Sequence, residues 1–402
     1  MEWTETDSLL KGVYLENIEL IEPVRIAAFD LDDTIIYRKS RTKDSKWCII
    51  DNTFCDKIKN LIDRNYIIVV FSNQTGLSRM KSADKKSWKK ALTKVFEFMF
   101  SKTDKKCGFF YAAKQEDMYR KPNIGMWVEM KKNIRHNFDL ESDHKLQLSK
   151  KSFYCGDAAG RLAPSIFKKK ISPKNKKGDF SDSDRKFALN IGIKFMTPEE
   201  FYFDKKDESD YKISGFNANE YLDKNKKSVI KFTPRKKEMI IMIGPPGSGK
   251  TSFVKKYILE NGYEYVNQDT CGTKAKCIKL ATEYLENGTS FVIDNTNPDI
   301  NSRLQYLYLA EKYGYKHIRA IIMDTPLYIA EHMSNVRHLY SNGKVKKIPK
   351  IVYYSWRKYY SEPIEKEFDL IEKIKFTLDT DMLKDNKFMK YFKMFSESNF
   401  ES

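Results

Sequence analysis

Cysteine- and histidine-based metal signatures and disulfide signatures are absent from this chain. Its 402 residues include six cysteines (Cys48, Cys55, Cys107, Cys155, Cys271 and Cys277) and five histidines, with no C-x-x-C pair and no ligand-like clustering. Zinc modules and disulfide scaffolds are thereby excluded, and the thiols are expected to be reduced and buried. Long apolar runs are also missing: Ile67–Phe71 and Met239–Ile243 have strand length, far short of the roughly 20 residues that span a bilayer. The opening MEWTETDSLL has neither a basic segment nor an apolar core, which excludes a signal peptide. The expectation is an intracellular chain, nuclear or cytoplasmic, with no membrane partner. Acid is scarce, with 55 Asp plus Glu against 73 Lys plus Arg and a net charge of +18. That imbalance favours a polyanionic partner, because basic side chains meeting phosphates release counterions. A general preference for lysine on solvated faces would give the same count, so charge supplies only an electrostatic footprint.

No internal repeat is visible, while 41% hydrophobic and 14% aromatic residues exclude a largely disordered chain. Short apolar runs alternate with helix-period stretches. Strands are expected at Val24–Phe29, Tyr66–Phe71, Phe109–Ala113 and Ser152–Cys155, with helices at Asp84–Phe100 and Gly125–Phe138. A second set of strands follows at Met239–Ile243, Tyr263–Val266, Phe291–Ile293 and Arg319–Met323. This pattern predicts an α/β protein of two domains, each a parallel sheet wound with helices. The expected boundaries are an N-terminal arm over 1–22, a first domain over 23–204, a charged connection over 205–237 and a second domain over 238–402. Ligands in such sheets gather beyond the carboxyl ends of the strands.

The first domain opens with VRIAAFDLDDT (Val24 to Thr34), a strand running into aspartates. Asp30 and Asp32 fall on one side of a tight turn, so one can attack phosphorus while the other handles the leaving oxygen's proton. Paired carboxylates need a cation, and Mg²⁺ suits hard oxygen ligands. Alone, D-x-D-x-T also fits a structural turn or another metal site. Three companions reinforce the phosphoryl reading. Ser72, Asn73 and Gln74 follow the next strand and offer a hydroxyl and amides. Lys121, in Arg120-Lys121-Pro122, offers a point charge for phosphate. Asp157, in Tyr154-Cys155-Gly156-Asp157, offers another metal ligand. The segments between Asp30, Ser72 and Lys121 have no room for a cap domain, which favours a bulky substrate.

The second domain opens with MIIMIGPPGSGKTS (Met239 to Ser252). Gly244-Pro245-Pro246-Gly247-Ser248-Gly249-Lys250-Thr251 fits a P-loop after a strand and before a helix. Its backbone N–H groups would cradle phosphates, with Lys250 on the β/γ-phosphates and Thr251 on Mg²⁺ of a bound ATP. Asp269, after the next strand, could accept the proton of an attacking hydroxyl or cap a helix. Asp294, in Asp294-Asn295-Thr296-Asn297-Pro298, fits either the metal's outer shell or a substrate contact. Arg337 fits either a lid over the transferred phosphate or a solvated helix face.

The four strand-end motifs of the first half resemble the haloacid dehalogenase superfamily. The two halves together resemble the bifunctional polynucleotide kinase 3′-phosphatases of animals and, less closely, of phage. The resemblance runs from about Val24 to the C-terminus. It includes Tyr119-Arg120-Lys121-Pro122, Gly125-Met126-Trp127, Gly156-Asp157-Ala158-Ala159-Gly160-Arg161, Asp179-Phe180-Ser181 with Asp184-Arg185, and Thr197-Pro198-Glu199-Glu200-Phe201. In the second half it includes Asp294 to Asp299 with Ser302-Arg303, and Tyr354-Ser355-Trp356-Arg357-Lys358. The resemblance implies an uncapped haloacid-dehalogenase-like 3′-phosphatase domain followed by a P-loop 5′-kinase, acting on DNA ends, with RNA as the alternative, upstream of a DNA ligase. It further implies Asp30 as nucleophile and Asp32 as acid/base, with Ser72, Asn73 and Lys121 binding phosphate. Metal would be held by Asp30, Asp32, Asp157 and Thr251. Gly244, Gly247, Ser248, Gly249, Lys250, Thr251 and Arg337 would hold ATP, Asp269 would be the kinase base, and Asp294 and Arg161 would contact substrate. Three departures stand out: Asp33 replaces a glycine, Gln268 replaces an arginine before the kinase aspartate, and Asn335 replaces a second lid arginine. The animal enzymes' N-terminal phosphopeptide-binding domain has no counterpart here, so no phosphopeptide scaffold contact is expected; a monomer is also expected. The basic stretches Lys168–Lys177 and Lys344–Lys350 are candidate backbone contacts. One rival reading is a metabolite phosphatase fused to a nucleoside kinase, against which open access and positive charge speak; the other is a non-catalytic DNA-end binder with relic sites, against which intact Asp30, Asp32, Lys250 and Asp269 speak.

Overall fold

The computed structural model describes residues 1–38, 47–164, 177–224, 231–398 and 400. The chain divides into two units, one of residues 1–214 with 394–397 and one of residues 215–393 with 398–402. The first is built on seven strands: β1 (Glu2–Glu5), β2 (Leu9–Glu16), β3 (Arg25–Phe29), β6 (Tyr66–Asn73), β7 (Lys106–Ala113), β8 (Phe153–Cys155) and β9 (Lys194–Met196). A separate two-stranded hairpin pairs β4 (Ile36–Arg38) with β5 (Trp47–Ile49). The sheet order is β1-β2-β7-β6-β3-β8-β9. From β7 to β9 every pairing is parallel, while β1–β2 and β2–β7 are antiparallel.

The stretch read as an arm is therefore two strands of this sheet. Leu9 and Leu10 are buried, and β2 pairs along all eight residues of β7. Polar positions in Glu2–Glu5 and Gly12 in β2 hide its strand character, whereas β6 announces itself by burying Tyr66 through Ser72 without a break. Full burial of each such Val or Ile contributes roughly 1.5–3 kcal/mol. The helices Ser82–Met99 and Gly125–Asn137 lie within a residue or two of their expected limits. Among the described residues between Asp30 and Ser72 stand the hairpin, the helix Phe54–Asp63 and the start of β6, and no cap domain appears there.

The second unit is a five-stranded, wholly parallel sheet, ordered β11 (Glu264–Val266), β12 (Phe291–Ile293), β10 (Glu238–Ile243), β13 (His317–Asp324) and β14 (Leu370–Lys375). Strand β14, unanticipated from sequence, mixes apolar with charged residues as an edge strand does. The stretch 205–237 is not one connection. Its first part stays with the first unit, where Tyr211 bridges Arg161 and Asp207 pairs with it. Its second part, with Phe216, Ala218 and the helix Ala218–Lys224, packs into a cluster with Ile329, Val336, Phe388 and Phe392 of the second unit. The residues 168–176 of the first basic stretch lie outside the described residues. No described helix is long and apolar enough to cross a membrane.

Candidate active sites

Three adjacent strand ends assemble the first site. Phe29 pairs with Val70 on one side and Cys155 on the other, so Asp30, Ser72 and Asp157 emerge together at the carboxyl edge. Lys121 is buried in their midst. Its Nζ donates to Asp30 Oδ1 (2.5 Å), Asp184 Oδ1 (2.7 Å), the Tyr154 hydroxyl (2.8 Å) and the Phe71 carbonyl (2.9 Å). Burial opposes its charge, yet Asp184 and Asp30 outweigh that and hold its pKa above the ordinary lysine value. Burial, together with the charges of Asp184 and Asp32, pushes the Asp30 carboxyl up against the pull of Lys121.

Asp30, Asp157 and Asp184 bring carboxylate oxygens within 4.8 Å of one another. Three acids around one ammonium leave excess negative charge, and an all-oxygen donor set is what Mg²⁺ prefers, so these residues fit that ion. Asp32 was expected among the ligands, but its carboxylate turns toward Gln74, whose Nε2 donates to Asp32 Oδ2 (2.5 Å) and Ser72 Oγ (2.9 Å). Asp184, from the helix Ser183–Ile191, stands in the acidic cluster where Asp32 was expected. The approach is close: a Cβ on Gly156 would lie 2.4 Å from Asp184 Oδ2. Asn73, expected on phosphate, instead clamps the Lys121 peptide, donating to its carbonyl (3.2 Å) and accepting from its N–H (2.9 Å).

The second site wraps the end of β10. Gly247 and Gly249 have φ of +80° and +93°, and a Cβ on Gly247 would come within 2.4 Å of the Ala330 carbonyl. Lys250 is buried, with Nζ donating to the carbonyls of Gly244 (2.8 Å) and Pro245 (2.9 Å). Burial lowers its pKa to about 8, with Arg337 adding repulsion and Asp294 opposing. Thr251 Oγ1 donates to Asp294 Oδ2 (2.6 Å), which also accepts from the Tyr265 hydroxyl (2.9 Å). Asp294 Oδ1 and Ser248 Oγ are buried with no hydrogen-bond partner. An orphaned carboxylate oxygen beside the P-loop threonine fits a Mg²⁺–nucleotide. Asp294 thus stands directly beside the P-loop threonine. A cavity of ≈ 440 Å³ runs from Gly247, Lys250 and Thr251 to Arg337, Tyr340 and Phe388. Asp269 is exposed in the turn Gln268–Cys271, and the cap there is Asn267, which accepts from the Asp269 N–H (2.8 Å).

A family model for polynucleotide kinase 3 phosphatase matches residues 25–202, and a model for an AAA domain matches residues 239–363. A mimivirus chain (Acanthamoeba polyphaga mimivirus), provisionally named a bifunctional polynucleotide phosphatase/kinase, is 52% identical over 406 residues, covering 99% of this chain and 95% of that one. The bifunctional polynucleotide phosphatase/kinase of Schizosaccharomyces pombe is 34% identical over 385 residues, covering 94% of this chain and 85% of that protein. The chain belongs to the bifunctional polynucleotide phosphatase/kinase family. A polynucleotide 3′-phosphatase of Arabidopsis thaliana is similar to one part alone, 30% identical over 200 residues, 47% of this chain and 26% of that protein.

As a member of this family, the chain departs from its expected residue roles at one further point. Arg161, expected on substrate, is buried, with its guanidinium bound to Asp179 (2.8 Å), Glu199 (2.6 Å) and Asp207 (3.3 Å). Those carboxylates hold it as an internal tie between loops. Of the family departures, Asp33 has φ of +54°, a left-handed turn that glycine or aspartate accepts. Asn335 is buried in the helix Leu327–Tyr340, whereas Arg337 on the same helix is exposed and lines the nucleotide cavity. Gln268 anchors its turn through its N–H to Asn295 Oδ1 (3.0 Å). Asp184, beside Arg185 in the first half's motifs, carries no role in the sequence pattern. Its signal was the neighbouring Gly156, whose missing side chain makes room for it.

Proposed function

We propose that this chain heals broken DNA ends, removing 3′-phosphates and phosphorylating 5′-hydroxyls from ATP. One observation carries the reading: a lysine-bridged carboxylate cluster and a P-loop share a chain that matches bifunctional relatives along nearly its whole length. At the first site Asp30 attacks phosphorus, forming an acyl phosphate as the bond to the 3′ oxygen breaks. Asp32, exposed and hydrogen-bonded to Gln74, protonates that leaving oxygen and then takes a proton from the water that releases phosphate. Lys121 and Ser72 hold the phosphoryl oxygens, and Asn73 fixes Lys121 by its backbone. Bound at Asp30, Asp157 and Asp184, Mg²⁺ would neutralise the phosphate's charge and keep Asp30 ionised.

At the second site Asp269 takes the proton of the 5′-hydroxyl as its oxygen bonds to the γ-phosphorus and ADP leaves. Lys250 and Arg337 balance the charge on the transferred group, whose transition state is loose and needs positioning more than covalent help. Thr251 and Asp294 would hold the nucleotide's Mg²⁺. The absence of a cap domain among the described residues of the first site favours a polymer end over a small metabolite.

The test is a panel of DNA and RNA oligonucleotides bearing 5′-hydroxyl and 3′-phosphate ends, set beside free nucleotides, with Mg²⁺ and ATP. Both conversions on the DNA oligomers, with phospho-Asp30 trapped on rapid acid quench, are expected. Turnover confined to mononucleotides would sink the proposal.

A further inference from the structure

Two parts of the first site lie outside the sheet. Asp30 and Asp157 follow the ends of β3 and β8, whose ladders fix them. Lys121 comes instead from the turn between β7 and the helix Gly125–Asn137, and Asp184 from the nine-residue helix Ser183–Ile191. A helix that short is marginal on its own, so its place depends on what it packs against. Yet Lys121 Nζ meets Asp184 Oδ1 at 2.7 Å, and Asp184 keeps a carboxylate oxygen within 4.8 Å of those of Asp30 and Asp157.

A segment far along the chain supplies that packing. Residues 394–397 belong to the first unit, and Met394 and Ser396 are buried. The segment meets Asn190, in the last turn of the Asp184 helix. Asn190 Nδ2 donates to the Phe395 carbonyl (2.8 Å), and its Oδ1 accepts from the Phe395 N–H (2.7 Å). The same Nδ2 donates to the Pro122 carbonyl (2.9 Å), next to Lys121. One turn earlier, Lys186 is fully buried; it pairs with Asp182 (3.0 Å) and donates to Ser214 Oγ (2.9 Å) and to the Ser396 carbonyl (3.1 Å). A buried ammonium is costly without its acceptors, so this contact binds the segment firmly. Positions 186 and 190 share one face of the helix, while Asp184 reaches Lys121 from another. On the Lys121 turn itself, Arg120 Nε stands 3.4 Å from Glu397 Oε2. Three consecutive residues thus hold both the turn that carries Lys121 and the helix that carries Asp184.

Resting on the phosphatase reading above, we propose that residues 395–397 are a positioning element of the first site, a strap that sets Asp184 against Lys121 through Asn190 and Lys186. None of the three supplies a carboxylate to the acidic cluster. Their role is to hold its third acid at the distance a cation requires, where no strand end reaches. Asn190 is the positioning residue on which the strap turns, because it alone bonds both the strap and the Lys121 turn.

The experiment compares Asn190→Ala, Glu397→Ala and Glu397→Gln in the full chain. Asn190→Ala should lower kcat for 3′-phosphate release by about 10- to 100-fold at limiting Mg²⁺, the usual effect of losing a group that orients a metal ligand. KM for the oligonucleotide should move less, and excess Mg²⁺ should recover part of the loss. Mn²⁺ binding without nucleotide, followed by electron paramagnetic resonance, should weaken in parallel, and hydrogen exchange should quicken over residues 183–191. Glu397→Ala should lose up to about 5-fold, since its ion pair is partly exposed, and Glu397→Gln, which keeps an acceptor, should lose less. Thermal melts and 5′ phosphorylation report that each variant is folded. Asn190→Ala with wild-type kcat, Mn²⁺ affinity and exchange overturns the strap. So does a loss that excess Mg²⁺ leaves untouched, or one that the kinase shares equally. Wild-type protein that releases no 3′-phosphate from any oligonucleotide overturns the phosphatase reading itself, and the exchange and Mn²⁺ results then still decide the strap.

Discussion

Asp184 and Gly156 act as one unit. The carboxylate reaches Lys121, Tyr154 and the Ala158 N–H only because residue 156 has no side chain to block it. Gly156→Ala forces that carboxylate to move. It should cost about 1–3 kcal/mol of stability, as overpacking does, and suppress phosphatase turnover while the kinase is untouched; paired assays with thermal melts check both. Asp184→Asn should raise the Mg²⁺ concentration for half-maximal phosphatase activity at least about tenfold, read by metal titration. Aspartates at strand ends were legible as chemistry because apolar runs led straight into them. Asp184 was not, since it arrives from a helix, and Asn73 and Arg161 looked functional while serving backbone and loop. Lys250 makes a pH prediction. Its proton leaves near pH 8 instead of the ordinary 10.5, because burial favours the neutral amine and Arg337 repels the charge. ATP needs the cation, so nucleotide affinity should hold below pH 8 and weaken above it by up to about tenfold per pH unit, measured by equilibrium binding.

Among elements, β1 carries a charged tie. The Glu5 carboxylate accepts from Lys114 (2.5 Å), Lys89 (2.9 Å) and Lys85 (3.3 Å), and these lysines, Lys114 foremost, pull its pKa from 4.5 to about 2. A lowered carboxylate pKa contributes stability above the unfolded value that disappears as pH falls toward 2. Glu5→Gln should therefore lower the melting temperature at neutral pH, by an amount equivalent to about 1 kcal/mol or less given its partial exposure, and match wild type near pH 2. Salt should shrink the difference. Strands with continuous apolar character, such as β3, β6 and β10, could be read from sequence. Three others could not. β1, β2 and β14 mix charge with apolar residues because one side faces water, and alternation interrupted by Gly12 or Lys373 resembles a loop.

At the scale of the whole molecule, each unit carries one of the two candidate sites. Asp30→Asn should reduce 3′-phosphate release by at least about 1,000-fold and leave 5′ phosphorylation intact, and Lys250→Ala should do the reverse. A folded variant that lost both activities would refute the two-site arrangement. The order of the first sheet has a practical consequence. The matching family region begins at residue 25, a tempting place to start a shortened protein. Cutting there would strip β2 from β7, baring the backbone of a strand whose residues from Cys107 to Ala113 are all buried. An unpaired apolar edge of that length templates cross-chain pairing, so the trimmed protein should clump in light scattering while the complete chain stays dispersed.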